Sequence, residues 1–157
     1  ASLMSNVARQ VQEMQESGIS ADSFVVLMCD RGLSFWVELL AAWVIGAKPI
    51  CVEAKLTDEH AISVLAMTDV AAIIGASDDT TPEFARLERI ASTFDPAADC
   101  EDIRATFNAL PFVNDEAMPD IAGLIFTSGT TGLPKGVMQT HDSMLYLYLQ
   151  LQQWLMV

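Results

Sequence analysis

At 157 residues the chain has the length of one domain. Eight Lys and Arg against 21 Asp and Glu leave a formal net charge of −13, which excludes nucleic acid and anionic membrane as general partners. Hydrophobic residues make up 52% of the chain, yet no run reaches the roughly 18 uninterrupted apolar residues of a membrane span; the best stretch, Phe35 to Val52, is broken by Glu38, Gly46 and Lys48.

In chain order, Leu3, Val7, Val11 and Met14 recur at helical spacing among Arg, Gln and Glu, predicting a helix from Leu3 to Glu16 that Gly18 stops. No basic region followed by an apolar core and a cleavage site precedes it, so no secretory signal is expected. Ser23 to Cys29 is a short apolar, partly β-branched run and reads as a buried strand. Leu33 to Ile45 is helix-length and apolar almost all round, with Glu38 its one charge, so it should be covered on most sides. On it, Trp36 and Trp43 stand seven apart and are expected in the core. Pro49 to Val52 reads as a second strand. Thr57 is the expected N-cap of a helix facing inward with Ile62, Leu65 and Ala66, with His60 solvated in its first turn.

Val70 to Ile74 is a third strand, and Thr81-Pro82-Glu83 opens another expected helix, with Phe84, Leu87 and Ile90 inward. From about Ser92 to Asp120 the chain is irregular and acidic, with a short helix near Ile103 to Leu110. Its carboxylates Asp99, Glu101, Asp102, Asp115 and Glu116 read as a solvated loop rather than a metal cluster. Cys29, Cys51 and Cys100 are odd in number and widely spaced, which suits neither a disulfide framework nor a zinc knuckle; they read as buried, reduced thiols of a cytoplasmic protein. Ile121 to Phe126 is a strong strand, and Val137 to Thr140 another. Strands alternating with helices, most strands apolar throughout, imply an α/β fold: a mainly parallel sheet with helices on both faces.

Between those last two strands lies TSGTTGLPKG, Thr127 to Gly136. It is not the P-loop of ordinary NTPases: that motif needs Lys-Ser/Thr running into a helix, whereas Lys135 is followed by Gly136 and a strand. A GxGxxG dinucleotide turn fails as well, since Gly129 and Gly132 flank two threonines. What remains is a hydroxyl-rich turn at the carboxyl end of a strand, where ligands of such sheets collect. Gly129 and Gly132 allow close backbone approach, so that consecutive N–H groups converge on anionic oxygens. Thr127, Ser128, Thr130 and Thr131 add hydroxyls, Pro134 stiffens the exit, and Lys135 supplies a point charge. At about 4 Å from a phosphate oxygen such a charge contributes on the order of 4 kcal/mol at an effective dielectric near 20.

The stretch LIFTSGTTGLPKGVMQTH, Leu124 to His141, closely resembles the signature of the adenylate-forming superfamily, which includes acyl-CoA synthetases, nonribosomal peptide synthetase adenylation domains and luciferases. Ala21 to His60 looks like the family's early strand, buried helix and GA-x-P strand, so the resemblance runs from about residue 5 onward. It implies ATP-dependent activation of a carboxylic acid to an acyl-adenylate, then transfer to a thiol, usually coenzyme A. It implies that the loop (Thr127, Ser128, Gly129, Thr130, Thr131, Gly132 and Lys135) grips the β- and γ-phosphates. Lys135 matches the family's loop lysine, the catalytic candidate here, and Thr127 matches a residue that in some members helps bind Mg²⁺.

The family's adenine pocket, metal-binding Glu, ribose-binding Asp and small C-terminal domain with a second Lys have no counterpart before Val157. The expectation is therefore that residues 1–157 form part of the large N-terminal AMP-binding domain, inactive alone and prone to self-association through apolar surface. The alternative is a non-catalytic nucleotide-binding or interaction module that keeps the loop. In the run from Met144 to Met156, Tyr146, Tyr148 and Trp154 are secondary candidates for approach to an acyl or adenine pocket. His141 reads as a helix-start residue beside Asp142, the expected N-cap, rather than a catalytic base.

Overall fold

The structure, a computed structural model, describes residues 3–28, 32–52, 58–75, 82–96, 120–127 and 135–155. Its helices are α1 (Leu3–Glu16), α2 (Leu33–Val44), α3 (Asp58–Met67) and α4 (His141–Leu155). Its strands are β1 (Phe24–Leu27), β2 (Lys48–Cys51), β3 (Val70–Ile74), β4 (Glu88–Ile90), β5 (Ile121–Thr127) and β6 (Lys135–Thr140). The strands form one sheet in the order β4-β3-β1-β2-β5-β6, parallel at every pairing except the antiparallel β5–β6. This is the α/β, mainly parallel architecture that the alternation of elements predicts.

Helices lie on both faces for a topological reason. The crossover through α2 steps from β1 to β2, and the one through α3 steps back past β1 to β3. Right-handed crossovers taken in opposite directions place their helices on opposite faces. The core divides accordingly. Val25 and Leu27 of β1 pack with Ala72 and Ile74 against α1 and α2. Val26, one residue out of phase, packs with Ile50, Ile73 and Leu124 against Ala61 and Val64 of α3.

Both helices on the first face end in the same way. Gly18 and Gly46 take positive φ of 76° and 75°, and the next N–H closes back five residues, Ile19 to the Met14 carbonyl (3.0 Å) and Ala47 to that of Ala42 (2.9 Å). A glycine just past the last turn, followed by a buried apolar residue, is the expected helix stop. Pro49 has no N–H to give β5, and a Cβ at Gly123 would sit 2.9 Å from the Pro49 carbonyl oxygen. Accordingly β5 bulges between Ile121 and Gly123, and its pairing with β2 is confined to Ile50↔Leu124 and Cys51↔Ile125.

Several expectations are corrected. The inward face of α3 is Ala61 and Val64, while Ile62 (53% exposed) and Ala66 point outward and Leu65 is half-buried. The helix is apolar on two adjacent stripes, and the one containing the small Ala61 meets the sheet. The helix expected after Thr81 is only a 3₁₀ turn, Pro82–Phe84, after which Glu88–Ile90 pairs with β3 as an edge strand. Phe84 and Ile90 are nonetheless buried and Leu87 half-buried, as their spacing predicts. Trp36 is 53% exposed and not core. Thr57, Cys29, Cys100, the acidic residues 99–116 and the short helix near Ile103 lie outside the described residues.

Two buried polar residues of α1 solve a backbone problem. Residues 91–95 run past α1 without regular structure, and side-chain amides take the place of a neighbouring strand. Asn6 donates to the Asp95 carbonyl (3.1 Å) and accepts its N–H (2.7 Å). One turn on, Gln10 donates to the Ala91 carbonyl (3.2 Å) and accepts the Thr93 N–H (2.8 Å). Buried backbone groups need such partners.

Candidate functional site

Strands β1 to β5 are parallel, so their carboxyl ends share one edge of the sheet. From that edge β5 delivers the chain into the glycine- and hydroxyl-rich stretch, and β6 brings it back. Thr127 and Lys135 are Cα partners at the open end of this hairpin, followed by Phe126↔Gly136 and Ile125↔Val137. The two ends of the loop are thus clamped together by strand pairing. Ser128, Gly129, Thr130, Thr131 and Gly132 lie outside the described residues, as does the side chain of Thr127. Lys135 is solvent-exposed at the first position of β6.

Gly136 sits under Phe126: a Cβ there would lie 3.3 Å from the ring. The aromatic ring covers the glycine across the strand pair and fixes the register next to Lys135. From Thr127 to Thr140 the chain has no Asp or Glu, although the whole carries −13. The hairpin is therefore a locally anion-favouring exception in an acidic molecule. Among the described residues no group of three or more His, Cys, Asp or Glu comes together to hold a metal.

Beside the hairpin, an apolar cleft of about 230 Å³ opens between α2 and α4 over β2 and β5. Trp36 is at its exposed rim, and Trp43 at its wall donates from Nε1 to the Ala122 carbonyl (2.7 Å). The half-buried Cys51 also lines it; removal from water disfavours the thiolate and pushes its pKa up to about 11, so this free thiol is a poor nucleophile. Tyr146 and Tyr148 are 66% and 59% exposed and line no described pocket, and the side chain of Trp154 is outside the described residues, as is that of His60.

His141 is the first residue of α4, as expected, but Asp142 is not the cap. Thr140 is: its Oγ1 accepts the Ser143 N–H (3.1 Å) while Ser143 Oγ accepts the Thr140 N–H (3.1 Å). Asp142 is already inside the first turn, two residues past the cap position that Thr140 occupies. The His141 ring meets Trp43 edge-to-face at 5.6 Å, a contact between residues far apart in sequence and without local signature. Burial lowers its pKa from the ordinary value of 6.5, and Asp142 partly opposes this.

The domain is thus α/β with a mainly parallel sheet, and its β5–β6 hairpin stands at the carboxyl edge of the strands, where ligands of such sheets collect. The family model described as AMP-binding enzyme matches residues 2–156, and the chain belongs to that family. It is 32% identical over 143 residues to nonribosomal peptide synthetase tcpP of Claviceps purpurea, a match covering 87% of this chain and 7% of that protein. It is 33% identical over 146 residues to long-chain-fatty-acid–AMP ligase FadD28 of Mycobacterium tuberculosis, covering 89% of this chain and 25% of that one. Its fold is similar to that of O-succinylbenzoate coenzyme A synthetase (MenE) from Bacillus subtilis, solved in complex with ATP and magnesium ion. That likeness has a TM-score of 0.73 at 17% identity and covers 99% of this chain and 40% of that chain. The chain thus spans well under half the length of each of these proteins.

Proposed function

We propose that this chain is the leading part of the large N-terminal domain of an adenylate-forming ligase, and that it holds the β- and γ-phosphates of ATP while a carboxylate is activated. The observation that supports this most is the pairing of Thr127 with Lys135 at the carboxyl edge of the sheet, which closes the Gly- and hydroxyl-rich stretch into a hairpin. The donor set fits the substrate: backbone N–H groups, four hydroxyls and one ammonium, with no carboxylate between residues 127 and 140 to repel it. In the reaction a carboxylate oxygen of the acid forms a bond to the α-phosphorus, the bond to the β-phosphate bridging oxygen breaks, and pyrophosphate leaves. Ser128, Thr130, Thr131 and the loop amides orient the leaving pyrophosphate, and Lys135 offsets the charge that grows on it. Mg²⁺, which would sit against Thr127, supplies further charge neutralisation when bound.

FadD28 and MenE, whose names specify an AMP ligase and a coenzyme A synthetase, favour an acyl-adenylate as the intermediate and a thiol such as coenzyme A as the acceptor. A cytoplasmic location is in keeping with ATP and coenzyme A as co-substrates. Among the described residues no helix is long and apolar enough to cross a membrane. Replacing Lys135 by Ala in the full-length enzyme should slow acid-dependent pyrophosphate exchange at least tenfold, a loss of about 1.4 kcal/mol of transition-state stabilisation. An exchange rate equal to that of the unsubstituted enzyme would remove Lys135 from this role.

A further inference from the structure

Helix α4 is attached to the rest of the molecule mainly at its first residue. It packs on β5 and β6, and beyond Met144 its side chains Leu145, Tyr146, Leu147, Tyr148, Leu149 and Leu151 are all at least 46% exposed. At His141 three contacts converge. The His141 N–H donates to the Asp120 carbonyl (3.1 Å), its ring meets Trp43 of α2, and Trp43 itself is tied to the Ala122 carbonyl of β5. Just beyond, Met144 forms the α4 side of the apolar cleft, and Trp43 and Ala122 its opposite wall.

We propose that His141 and Trp43 form a proton-operated latch that holds the start of α4 against α2 and β5, and so sets how far the cleft is closed. Burial in the latched position favours the neutral ring. A proton added to its free ring nitrogen would place a cation at the N-terminal end of a helix, where the backbone dipole already presents positive charge, and in a half-buried position that penalises charge.

Among the described residues the charged groups around it are few. On its own helix Asp142 favours the imidazolium, and at the start of β5 Asp120 stands beside it through the backbone bond. The one charge of α2, Glu38, lies five positions before Trp43, about 140° round the helix. Lys135 is at the far end of β6. Burial outweighs Asp142, so the ring binds a proton less readily when latched than when released. Closure is therefore fully favoured above the ordinary pKa of 6.5 and weakens as pH falls through and below it.

The Trp43 indole N–H reports the latch, because it is donated to Ala122 only while α2 and β5 are held together. Its solvent exchange, followed by NMR and corrected for intrinsic pH dependence, should accelerate by up to about tenfold per pH unit below 6.5. His141→Gln should make the profile flat. Asp142→Asn, at an exposed site that leaves the packing intact, should move the step to lower pH, because the carboxylate that favours the imidazolium is gone. A flat profile in the unsubstituted chain, or a step that survives His141→Gln, would overturn the latch. Should His141→Gln fail to fold, an unmoved step in Asp142→Asn would overturn it as well.

Discussion

Between Leu3 and Ile90, apolar side chains such as Val7, Val25, Leu27, Val37 and Ile73 are shut away from water, whereas between His141 and Leu155 the same residue types, Leu145, Leu147, Leu149 and Leu151, lie 46–58% exposed. Composition does not separate the two regions; layering does. The first has a sheet with helices on each face, so every strand side chain of β1 and β3, apart from Ala71 and the half-buried Phe24, meets a second layer. The second has a hairpin and one helix, and beyond Met144 α4 is left largely uncovered among the described residues. Apolar content in a sequence marks surface that can be buried, and topology decides where it is.

The widest gap between the regions should appear in stability. Leu27 is fully buried between β1 and α2, and Leu27→Ala should cost about 2–5 kcal/mol through lost contacts and the cavity left behind. Leu147 is 58% exposed, and Leu147→Ala should stay within about 0.5 kcal/mol. Denaturant midpoints of the two variants test this directly. Equal shifts would mean that α4 is packed as tightly as the core.

The exposed stripe should also be sticky. Leu147 and Leu151 are one helical turn apart on the same face, and exposed apolar patches of this kind seek partners. We propose that the isolated chain self-associates through α4. Light scattering over a concentration series should then show association that Leu147→Glu with Leu151→Glu weakens at least tenfold, about 1.4 kcal/mol. Association unaffected by both charges would place the contact elsewhere.

How much of this was legible in the sequence follows the same division. Helix α1 and strand β3 fall at the predicted bounds, because the first has a clean amphipathic stripe and the second a short, wholly apolar run with β-branched ends. The strand after the turn was legible from Val137 onward, whereas its antiparallel return is set by its pairing with β5. The misses are places where local pattern is degenerate. Phe84, Leu87 and Ile90 suit one helical face, but the free edge of β3 captures Glu88–Ile90 as a strand, a long-range choice invisible locally. Two apolar stripes on α3 gave no way to choose between Ile62 and Ala61. At the candidate site, the hydroxyl-rich stretch and Lys135 are legible as chemistry, and the structure adds the pairing that joins the loop's ends. The Trp43–His141 contact and the Asn6 and Gln10 clamps could not be read, since each joins residues about 80 to 100 positions apart through side-chain geometry alone.

The smallest expected effect tests whether the two regions unfold together. Thr140 caps α4 by accepting the Ser143 N–H, and Ser143 returns the bond to the Thr140 N–H. Thr140→Ala removes the first of these and should cost about 1 kcal/mol of helix stability. If α4 is a separate, weakly attached unit, that cost falls on local opening: hydrogen exchange of α4 amides beyond Met144 should speed up about fivefold while the denaturant midpoint of the whole chain stays put. The core amides of β1 and β3 serve as the internal reference, since their opening requires loss of both packed layers. A midpoint that falls by the full 1 kcal/mol or so, with core and α4 amides accelerating together, would show one cooperative unit and remove the contrast between the regions.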